Sequence, residues 1–385
     1  MEEKSEGVAE GYTVTPESTV RHRTPIEDLG LPVRVYRALM RAGLDSVGKV
    51  VALERAALVE RVAGLSDEMA GEVVAALLRH RATGPLVDEV PTDVLVLGGA
   101  GVDTVVRVAA LPVPFADSVP APGITEYAGH TGTGVAVGCA ALGLRACLVD
   151  FFGRDPQADI VLQRLRDSGV TVTVLPARRT RRSVNLVDPS GRRMSFYDGQ
   201  DEPGTRVPEE TLRRLLRDAR HVHVSIMDFA RQVYPLLDGR SSSTDLHDWD
   251  GASTYHEDFA YSSDLVFLSS AALGPRTPEV MRRILDRGRA HTVIATDGAA
   301  GGRYLTRAEG TVRPYPAVTG TPAVDSNGAG DAFVSGFLYA HLNDLPLKTA
   351  LHAGAIAGHH ACTTPGIHTT PLSLTTLLPH LNPTP

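Results

Sequence analysis

A run of small and acidic residues near the C-terminus, residues 325–331, has the composition of a catalytic loop. Its sequence is DSNGAGD, and the amphipathic segment AFVSGFLYAHL that follows it predicts a helix. Gly328, Ala329 and Gly330 have little or no side chain, so their backbone N–H groups can converge on an anion or on a developing phosphoryl charge. Asp331 stands at the start of the helix. There the helix dipole favours an ionised carboxylate, which can accept a proton from an attacking hydroxyl.

Glycine-rich stretches of this sequence also allow interpretations other than a catalytic loop. An aspartate also caps a helix after a turn without any catalytic role, and the local chemistry of residues 325–331 leaves both interpretations open. Residues 98–101 follow a strand, but the next residues, VDTVVRV, predict another strand rather than a helix N-terminus for a pyrophosphate. Residues 43–50 nearly match a P-loop, but Val50 replaces the Ser or Thr that would contact magnesium.

Most of the chain is predicted to form the elements that position this run. From residue 93 onward, apolar strand-like runs such as VLVL at residues 94–97 alternate with helix-like segments such as 332–341 and 347–362. This alternation predicts an α/β fold of three layers, in which helices cover both faces of a mostly parallel sheet. Residues 93–385 are the predicted extent of this large domain.

The residues before this domain differ in pattern. Residues 1–23 are polar and aperiodic and predict a disordered tail, whereas residues 24–80 carry apolar residues at helical spacing. Residues 81–92, RATGPLVDEVPT, predict a linker. The formal net charge of −7 provides no general attraction to nucleic acid. The N-terminal residues contain no apolar leader segment, and no apolar run is long enough to span a bilayer, so we expect a cytoplasmic protein without membrane contact.

The run DSNGAGDAFVSGF, residues 325–337, resembles the C-terminal signature of the ribokinase-like (phosphofructokinase B) kinases. That signature is Asp-Thr-x-Gly-Ala-Gly-Asp-x-Phe followed by a helix. The resemblance implies a ribokinase-like fold with a small β lid, and transfer of the γ-phosphoryl group of ATP to a hydroxyl of a sugar, nucleoside or related polyol. It also implies that Asp331 is the catalytic base, that Mg²⁺ accompanies ATP, and that the anion hole is formed by Gly328, Ala329 and Gly330.

The resemblance extends to the acceptor side of the predicted site. Asp103 looks like the aspartate that holds acceptor hydroxyls in the family, with an ordinary turn aspartate as the alternative. The small-residue run AGHTGTG at residues 128–134 resembles the substrate-binding Gly-Gly motif. Small residues there let the backbone approach a polyol closely. Gly129 and Thr133 are therefore expected to bind the acceptor.

The nucleotide and a monovalent cation are assigned in the same way. Thr296, Gly298 and Gly301 resemble the turn that binds ATP in the family. Asp325 corresponds to the aspartate that holds a monovalent cation in some members, so the resemblance implies K⁺ as a further cofactor.

Two departures from the family pattern leave a second function open. Thr133 stands where the family usually carries Asn, and residues 269–272, SSAA, replace an Asn-x-x-Glu motif that orders magnesium through water. Phosphate oxygens supply much of the magnesium coordination shell, so an active kinase is our first interpretation. The alternative is a catalytically weak or inactive sensor of sugar or nucleotide that signals through its N-terminal domain.

Residues 24–80 resemble the C-terminal domain of the RNA polymerase alpha subunit, a helix-hairpin-helix module. Arg34 matches a DNA-contacting arginine of that family, but Leu65, Ser66 and Asp67 replace its other phosphate-binding residues. Residues 24–84 contain eight Lys or Arg and eight Asp or Glu, a difference of zero. DNA binding requires a basic surface, so we expect a protein partner rather than DNA. The strand-rich segments 104–128 and 183–200 resemble the lid through which family members pair, which predicts a homodimer.

Overall fold

The computed structural model describes residues 12–14, 25–51, 53, 55–79, 92–199 and 201–381. Its strands are β1 (Tyr12–Val14), β2 (Thr92–Leu97), β3 (Gly101–Arg107), β4 (Gly123–Gly129), β5 (Ala146–Phe152), β6 (Thr171–Pro176), β7 (Arg182–Val187), β8 (Arg193–Asp198), β9 (Ala219–Val224), β10 (Ser241–Asp245), β11 (Leu265–Ser269), β12 (Thr292–Thr296), β13 (Gly302–Thr306) and β14 (Arg313–Tyr315). Its α-helices are α1 (Val33–Arg41), α2 (Val47–Val51), α3 (Arg55–Arg61), α4 (Asp67–Arg79), α5 (Thr131–Ala141), α6 (Pro156–Asp167), α7 (Glu209–Arg217), α8 (Glu257–Ser262), α9 (Thr277–Arg287), α10 (Ala329–Leu342), α11 (Leu347–Cys362) and α12 (Leu374–Leu381).

Ten of the strands form one sheet, in the order β1-β6-β5-β2-β9-β10-β11-β12-β13-β14. The seven strands from β6 to β12 in that order are parallel to their neighbours, whereas β1, β13 and β14 pair antiparallel at the edges. Along β2, Val94 and Val96 join one apolar core and Leu95 and Leu97 join another. Because both faces of the central strands are covered, the apolar runs of the sequence are continuous rather than alternating.

The other four strands form a small lid sheet, in the order β4-β3-β7-β8. Their register places Tyr127, Asp103, Ser183 and Tyr197 side by side in one row across the sheet. Side chains two residues apart on a strand share a face, so Arg107 on β3 and Arg193 on β8 lie on the same face as Asp103. This is the face that carries the predicted acceptor-binding aspartate.

The residues from 25 to 79 that the structure describes form short helices around a separate apolar core. Val35, Leu39, Leu58, Val73 and Leu77 are among its fully buried members. A bidentate contact between Arg55 and Asp67 joins the start of α3 to the start of α4. Helical periodicity in the sequence is therefore matched by helices in this part of the chain.

Two strands differ from the sequence-based expectations. Tyr12–Val14 form a strand paired with β6 inside the predicted tail, so the expectation of no regular structure is wrong for these residues. The strand β10 was not predicted, because SSSTD has no apolar pattern. Ser242 and Ser243 are buried, and Ser241 and Ser243 hydrogen bond to His221 and His223 on β9. The predicted linker falls almost entirely outside the described residues.

None of the helices in the described part of the chain is long and apolar enough to cross a membrane.

Candidate active site

Residues 325–328 form the loop before α10, and residues 329–331 form the first turn of that helix. The loop faces the lid sheet, which contacts it through Arg107 and Arg193. Gly328 precedes α10 with a φ of 77°, in the left-handed region that favours glycine. Ala329 and Gly330 are the first two residues of α10, where N–H groups have no acceptor within the helix. The N–H of Ala329 donates instead to the carbonyl oxygen of Ser326 at 3.3 Å. Asp331 is in the first turn of this helix. A helix N-terminus and a carboxylate thus lie side by side here, and the anion site stays a prediction.

Asp331 is buried, with 7% of its surface exposed. Burial raises its pKa well above the ordinary value for aspartate, the carboxylates of Asp245 and Asp103 raise it further, and Arg193 lowers it. The helix dipole alone would favour the ionised form, so at this position burial and neighbouring charge outweigh the dipole. A carboxylate with a raised pKa holds an accepted proton more tightly, which suits a general base.

Asp103, on β3 of the lid, is held by donors from two segments, the residue after β4 and the strand β7. The N–H of His130 donates to Oδ2 at 3.0 Å, and the hydroxyl of Ser183 and the amide of Asn185 donate to Oδ1. The amide of Asn185 also donates to Ser183 at 3.0 Å. Together these bonds hold the buried carboxylate in one orientation. Asp103 is close enough to Asp331 that its charge raises the pKa of Asp331.

The small-residue run at 128–134 leads from β4 into α5 beside these two aspartates. A Cβ at Gly129 would lie 2.0 Å from Oδ2 of Asp103, so only glycine leaves room for that carboxylate. Thr133 is fully buried, its N–H donates to the carbonyl of Gly99 at 3.1 Å, and its hydroxyl has no partner within the described residues. The structure thus brings together Asp331, Asp103, Gly129 and Thr133.

Asp325 has neighbours that do not fit the predicted monovalent cation. Its Oδ1 accepts from both the N–H and the side-chain amide of Asn327, at 3.0 and 2.7 Å. Its Oδ2 accepts from Nη2 of Arg107 at 3.0 Å and from the N–H of Gly366 at 3.4 Å. A carboxylate has about four lone-pair positions, and these four donors use them. The guanidinium of Arg107 already supplies the positive charge that K⁺ would bring.

The predicted nucleotide-binding residues lie at the carboxyl end of β12. Thr296 ends that strand, Gly298 begins a short 3-10 turn, and Gly301 has a φ of 86°. A Cβ at Gly301 would lie 2.3 Å from the carbonyl oxygen of Tyr315, so the turn requires glycine there. Because β10 and β12 both run parallel to β11, this turn and Asp245 lie at the same edge of the sheet. Ligands of open α/β sheets bind at such an edge.

The donor set for a divalent metal is sparse. The described residues contain no group of three or more His, Cys, Asp or Glu side chains placed to hold a metal ion. The loop at residues 269–272 offers hydroxyls but no carboxylate, and the Ser270 hydroxyl is buried without a partner. The described residues therefore provide no cluster of three ligands for Mg²⁺, which fits an ion coordinated largely by phosphates and water.

Several side chains at this site were not predicted from the sequence. Asp245 is the last residue of β10, a strand without an apolar pattern, and Arg193 donates from the lid to Oδ1 of Asn327 at 2.9 Å. His368 lies in the loop after α11, with Nε2 at 3.5 Å from Oδ2 of Asp331. These residues are distant from residue 331 in sequence and have no local motif. Ser183 and Asn185 did carry a signal, since they are alternate polar residues in an otherwise apolar strand.

Comparisons with known proteins agree with this geometry. A model of the pfkB family of carbohydrate kinases matches residues 260–373. Acarbose 7(IV)-phosphotransferase of Actinoplanes sp. is 51% identical over 279 residues, which are 71% of this chain and 93% of that protein. The structure of a microbiome-derived acarbose kinase matches with a TM-score of 0.70 and 42% identity, and covers 76% of this chain and 99% of that one.

A separate similarity concerns a shorter stretch. The alpha subunit of DNA-directed RNA polymerase from Synechococcus sp. is 40% identical over 76 residues, which are 20% of this chain and 24% of that subunit.

The identity and coverage of the phosphotransferase relative, together with the fold and the glycine-rich loop before Asp331, show that the chain belongs to the pfkB family of carbohydrate kinases and is an ATP-dependent phosphotransferase that acts on a sugar hydroxyl.

Proposed function

We propose that this kinase phosphorylates a hydroxyl of acarbose or of a closely similar saccharide, with Asp331 as the base. The proposal rests on the 51% identity to a phosphotransferase named for acarbose and on the three buried carboxylates in the cleft. Carboxylates and amides suit the recognition of several sugar hydroxyls at once. The alternative of an inactive sensor rests on the missing carboxylate at residues 269–272.

The proposed reaction assigns the bonds as follows. The acceptor hydroxyl attacks the γ-phosphorus of ATP, and its proton passes to a carboxylate oxygen of Asp331 as the new O–P bond forms. The bond from the γ-phosphorus to the bridging oxygen breaks, and its electron pair leaves with ADP. The N–H groups at Gly328, Ala329 and Gly330 stabilise the charge on the transferring group, because they point from a helix N-terminus where α10 begins. Mg²⁺ bound by the phosphates would neutralise further charge.

The acceptor is proposed to bind between Asp103 and the run at residues 128–134. Asp103 keeps lone pairs for acceptor hydroxyls in addition to its bonds from His130 and Ser183, and the unpaired Thr133 hydroxyl offers one further polar atom. ATP is proposed to bind at Thr296, Gly298 and Gly301, at the edge of the sheet that Asp245 shares. This arrangement places the two substrates at opposite sides of the anion site.

Residues 24–80 are proposed to form a helix-hairpin-helix module that contacts a protein rather than DNA. Similarity to the polymerase subunit and the separate apolar core support the module. Two of its arginines are already paired, Arg34 with Glu72 at 3.0 Å and Arg55 with Asp67 at 2.9 Å. Fewer free cations remain to neutralise phosphates, so sequence-independent DNA binding should be weak.

A homodimer through the lid is proposed from the face of that sheet opposite Asp103. The register places Ile124 and Met194 in one row of this face and Val184 and Phe196 in the next. Ile124 is 65% exposed and Phe196 is 53% exposed. An apolar face of this kind on a two-fold axis would cover itself with the same face of a second copy.

The first prediction concerns the base. With ATP, Mg²⁺ and acarbose, Asp331→Asn should lower kcat by about 10²- to 10⁴-fold, because the proton acceptor is lost. ATP affinity should be retained, and the exposed control Asp159→Asn should behave as wild type. The assay is ADP release with mass analysis of the product. Full turnover by Asp331→Asn would exclude this residue as the base, and a wild type that no acceptor stimulates would favour the sensor.

The second prediction concerns K⁺. Wild-type turnover should be the same in KCl as in Tris chloride at equal ionic strength, because Arg107 takes the place of the cation beside Asp325. Arg107→Met leaves one oxygen of Asp325 short of a donor, so its kcat should fall and should be partly restored by K⁺. The exposed control Arg154→Met should show neither effect. Strong activation of the wild type by K⁺ would contradict the proposal that the guanidinium of Arg107 takes the place of the cation.

The third prediction concerns assembly. Sedimentation at micromolar concentration should show a dimer for the wild type and a monomer for Phe196→Ser, because the serine interrupts the apolar outer face of the lid. Val33→Ser, an exposed apolar change in α1, should remain dimeric. A monomeric wild type would remove the proposal.

The fourth prediction concerns residues 1–84. A variant that lacks them should retain acceptor phosphorylation, and the full chain should bind duplex DNA no better than this variant at physiological salt. Titration by fluorescence anisotropy measures the second point. Submicromolar DNA affinity that disappears with residues 1–84 would show that the module binds DNA.

A further inference from the structure

His368 is an ionisable side chain that lies against the proposed base and has no role in the reaction as described so far. It belongs to the loop between α11 and α12, and 7% of its side chain is exposed. Its Nε2 lies 3.5 Å from Oδ2 of Asp331. This distance is slightly long for a hydrogen bond, and such contacts at active sites often shorten when substrate binds.

Two glycines make the space that the imidazole ring occupies. A Cβ at Gly134 would lie 2.3 Å from Cε1 of His368, and a Cβ at Gly328 would lie 2.6 Å from the same atom. Gly134 begins the apolar part of α5, and Gly328 is the residue before α10 in the anion site. Both glycine-containing motifs of the sequence therefore lie against this ring. A side chain at Gly134 or at Gly328 would clash with the imidazole.

The backbone of His368 is also held in place. Its φ is 53°, a left-handed conformation that is uncommon for a residue other than glycine. The guanidinium of Arg164, on α6, donates to the carbonyl oxygen of His368 and to that of Thr369. Backbone in such a region persists only where its surroundings hold it, and it is enriched at functional sites.

We infer that His368 is a positioning residue for the base: its Nε2–H donates to Oδ2 of Asp331, which keeps that carboxylate ionised and directed towards the acceptor hydroxyl. The inference rests on the proposed role of Asp331 as the base. It assigns to His368 an action on Asp331 rather than on the substrate.

The charges around the pair set the direction of the effect. Burial lowers the pKa of His368 to about 4, although Asp103 and a hydrogen bond to the backbone of His130 raise it, and the charges of Arg164 and of the His130 ring lower it further. The imidazole is therefore neutral at pH 7 and offers an N–H donor without a second positive charge. Asp331 is raised by burial, Asp245 and Asp103, and only Arg193 opposes them. A hydrogen bond donated by His368 acts in the same direction as Arg193 and lowers the pKa of Asp331. The carboxylate is then ionised, and able to accept a proton, at a lower pH.

Two substitutions separate this role from mere packing. His368→Gln retains an N–H donor without a titrating ring, whereas His368→Met fills similar space without a donor. The measurement is kcat against pH, with ATP, Mg²⁺ and acarbose, on the full chain. His352, exposed on α11, provides the matched controls His352→Gln and His352→Met. Thermal unfolding and ATP binding verify that each variant is folded.

We expect the pH profile of kcat to shift in His368→Met and in no other variant. Activity needs ionised Asp331, so it is lost as pH falls through the pKa of that carboxylate. For His368→Met this acidic limb should move up by about one pH unit, with recovery at high pH, since one nearby group commonly shifts a pKa by about 1 unit or more. At a pH below the limb, kcat should then be about tenfold lower than in wild type. His368→Gln should keep the wild-type profile.

Other results overturn the inference. Equal loss in both variants at every pH would assign His368 to packing, and the same upward shift in both would show that the imidazole itself, not a donor, is required. Unchanged activity in His368→Met would show that the contact has no function. Asp331→Asn, measured alongside, separates the two levels: its full turnover would overturn the base itself, whereas its inactivity together with a pH-independent His368→Met would overturn only the role of His368.

Discussion

Three carboxylates that repel one another lie in one buried cleft, and the surrounding structure supplies the donors that make this arrangement stable. Asp103, Asp245 and Asp331 are each less than 10% exposed. Burying a charge is unfavourable unless it is paired or hydrogen bonded. Asp103 is held by His130 and Ser183, and Asp245 accepts the N–H of His247 at 2.9 Å. Asp331 has no comparable bond in the described structure, and its pKa is raised by burial and by the two neighbouring carboxylates.

This difference in hydrogen bonding suits the three aspartates to different roles, although their side chains are chemically identical. The two aspartates that accept hydrogen bonds from the protein are held in fixed orientations, which suits the binding of acceptor hydroxyls. Asp331, with its pKa raised by burial and by the other two, can take and hold a proton. The environment rather than the residue type therefore separates the base from the binding groups.

The extent to which the sequence predicted this site follows from where each residue lies. Residues 325–331 form one continuous run, and residues 128–134 form another. Each run combines small residues with the start of a helix, so the local sequence alone indicates its chemistry. Asp103 was assigned only through a family resemblance. His368, Arg193 and Asp245 come from loops and strands without a local pattern, and only the folded chain brings them to Asp331. The same limit applies to the fold: apolar strands were predicted, whereas β10 was not, because its buried serines depend on histidines from the neighbouring strand.

The lid and the anion site are linked by charge as well as by shape. Arg107 reaches Asp325 and Arg193 reaches Asn327, so two guanidiniums from one face of the lid contact the loop that begins α10. Asp325 is 4% exposed in its side chain, and a buried carboxylate without that partner would be costly. Movement of the lid away from the cleft would break both contacts and expose Asp331 to water. In the proposed reaction, acceptor binding, the position of the lid and the protonation of Asp331 are thus coupled through the same few residues, because the lid face that carries Asp103 also contacts the loop before α10.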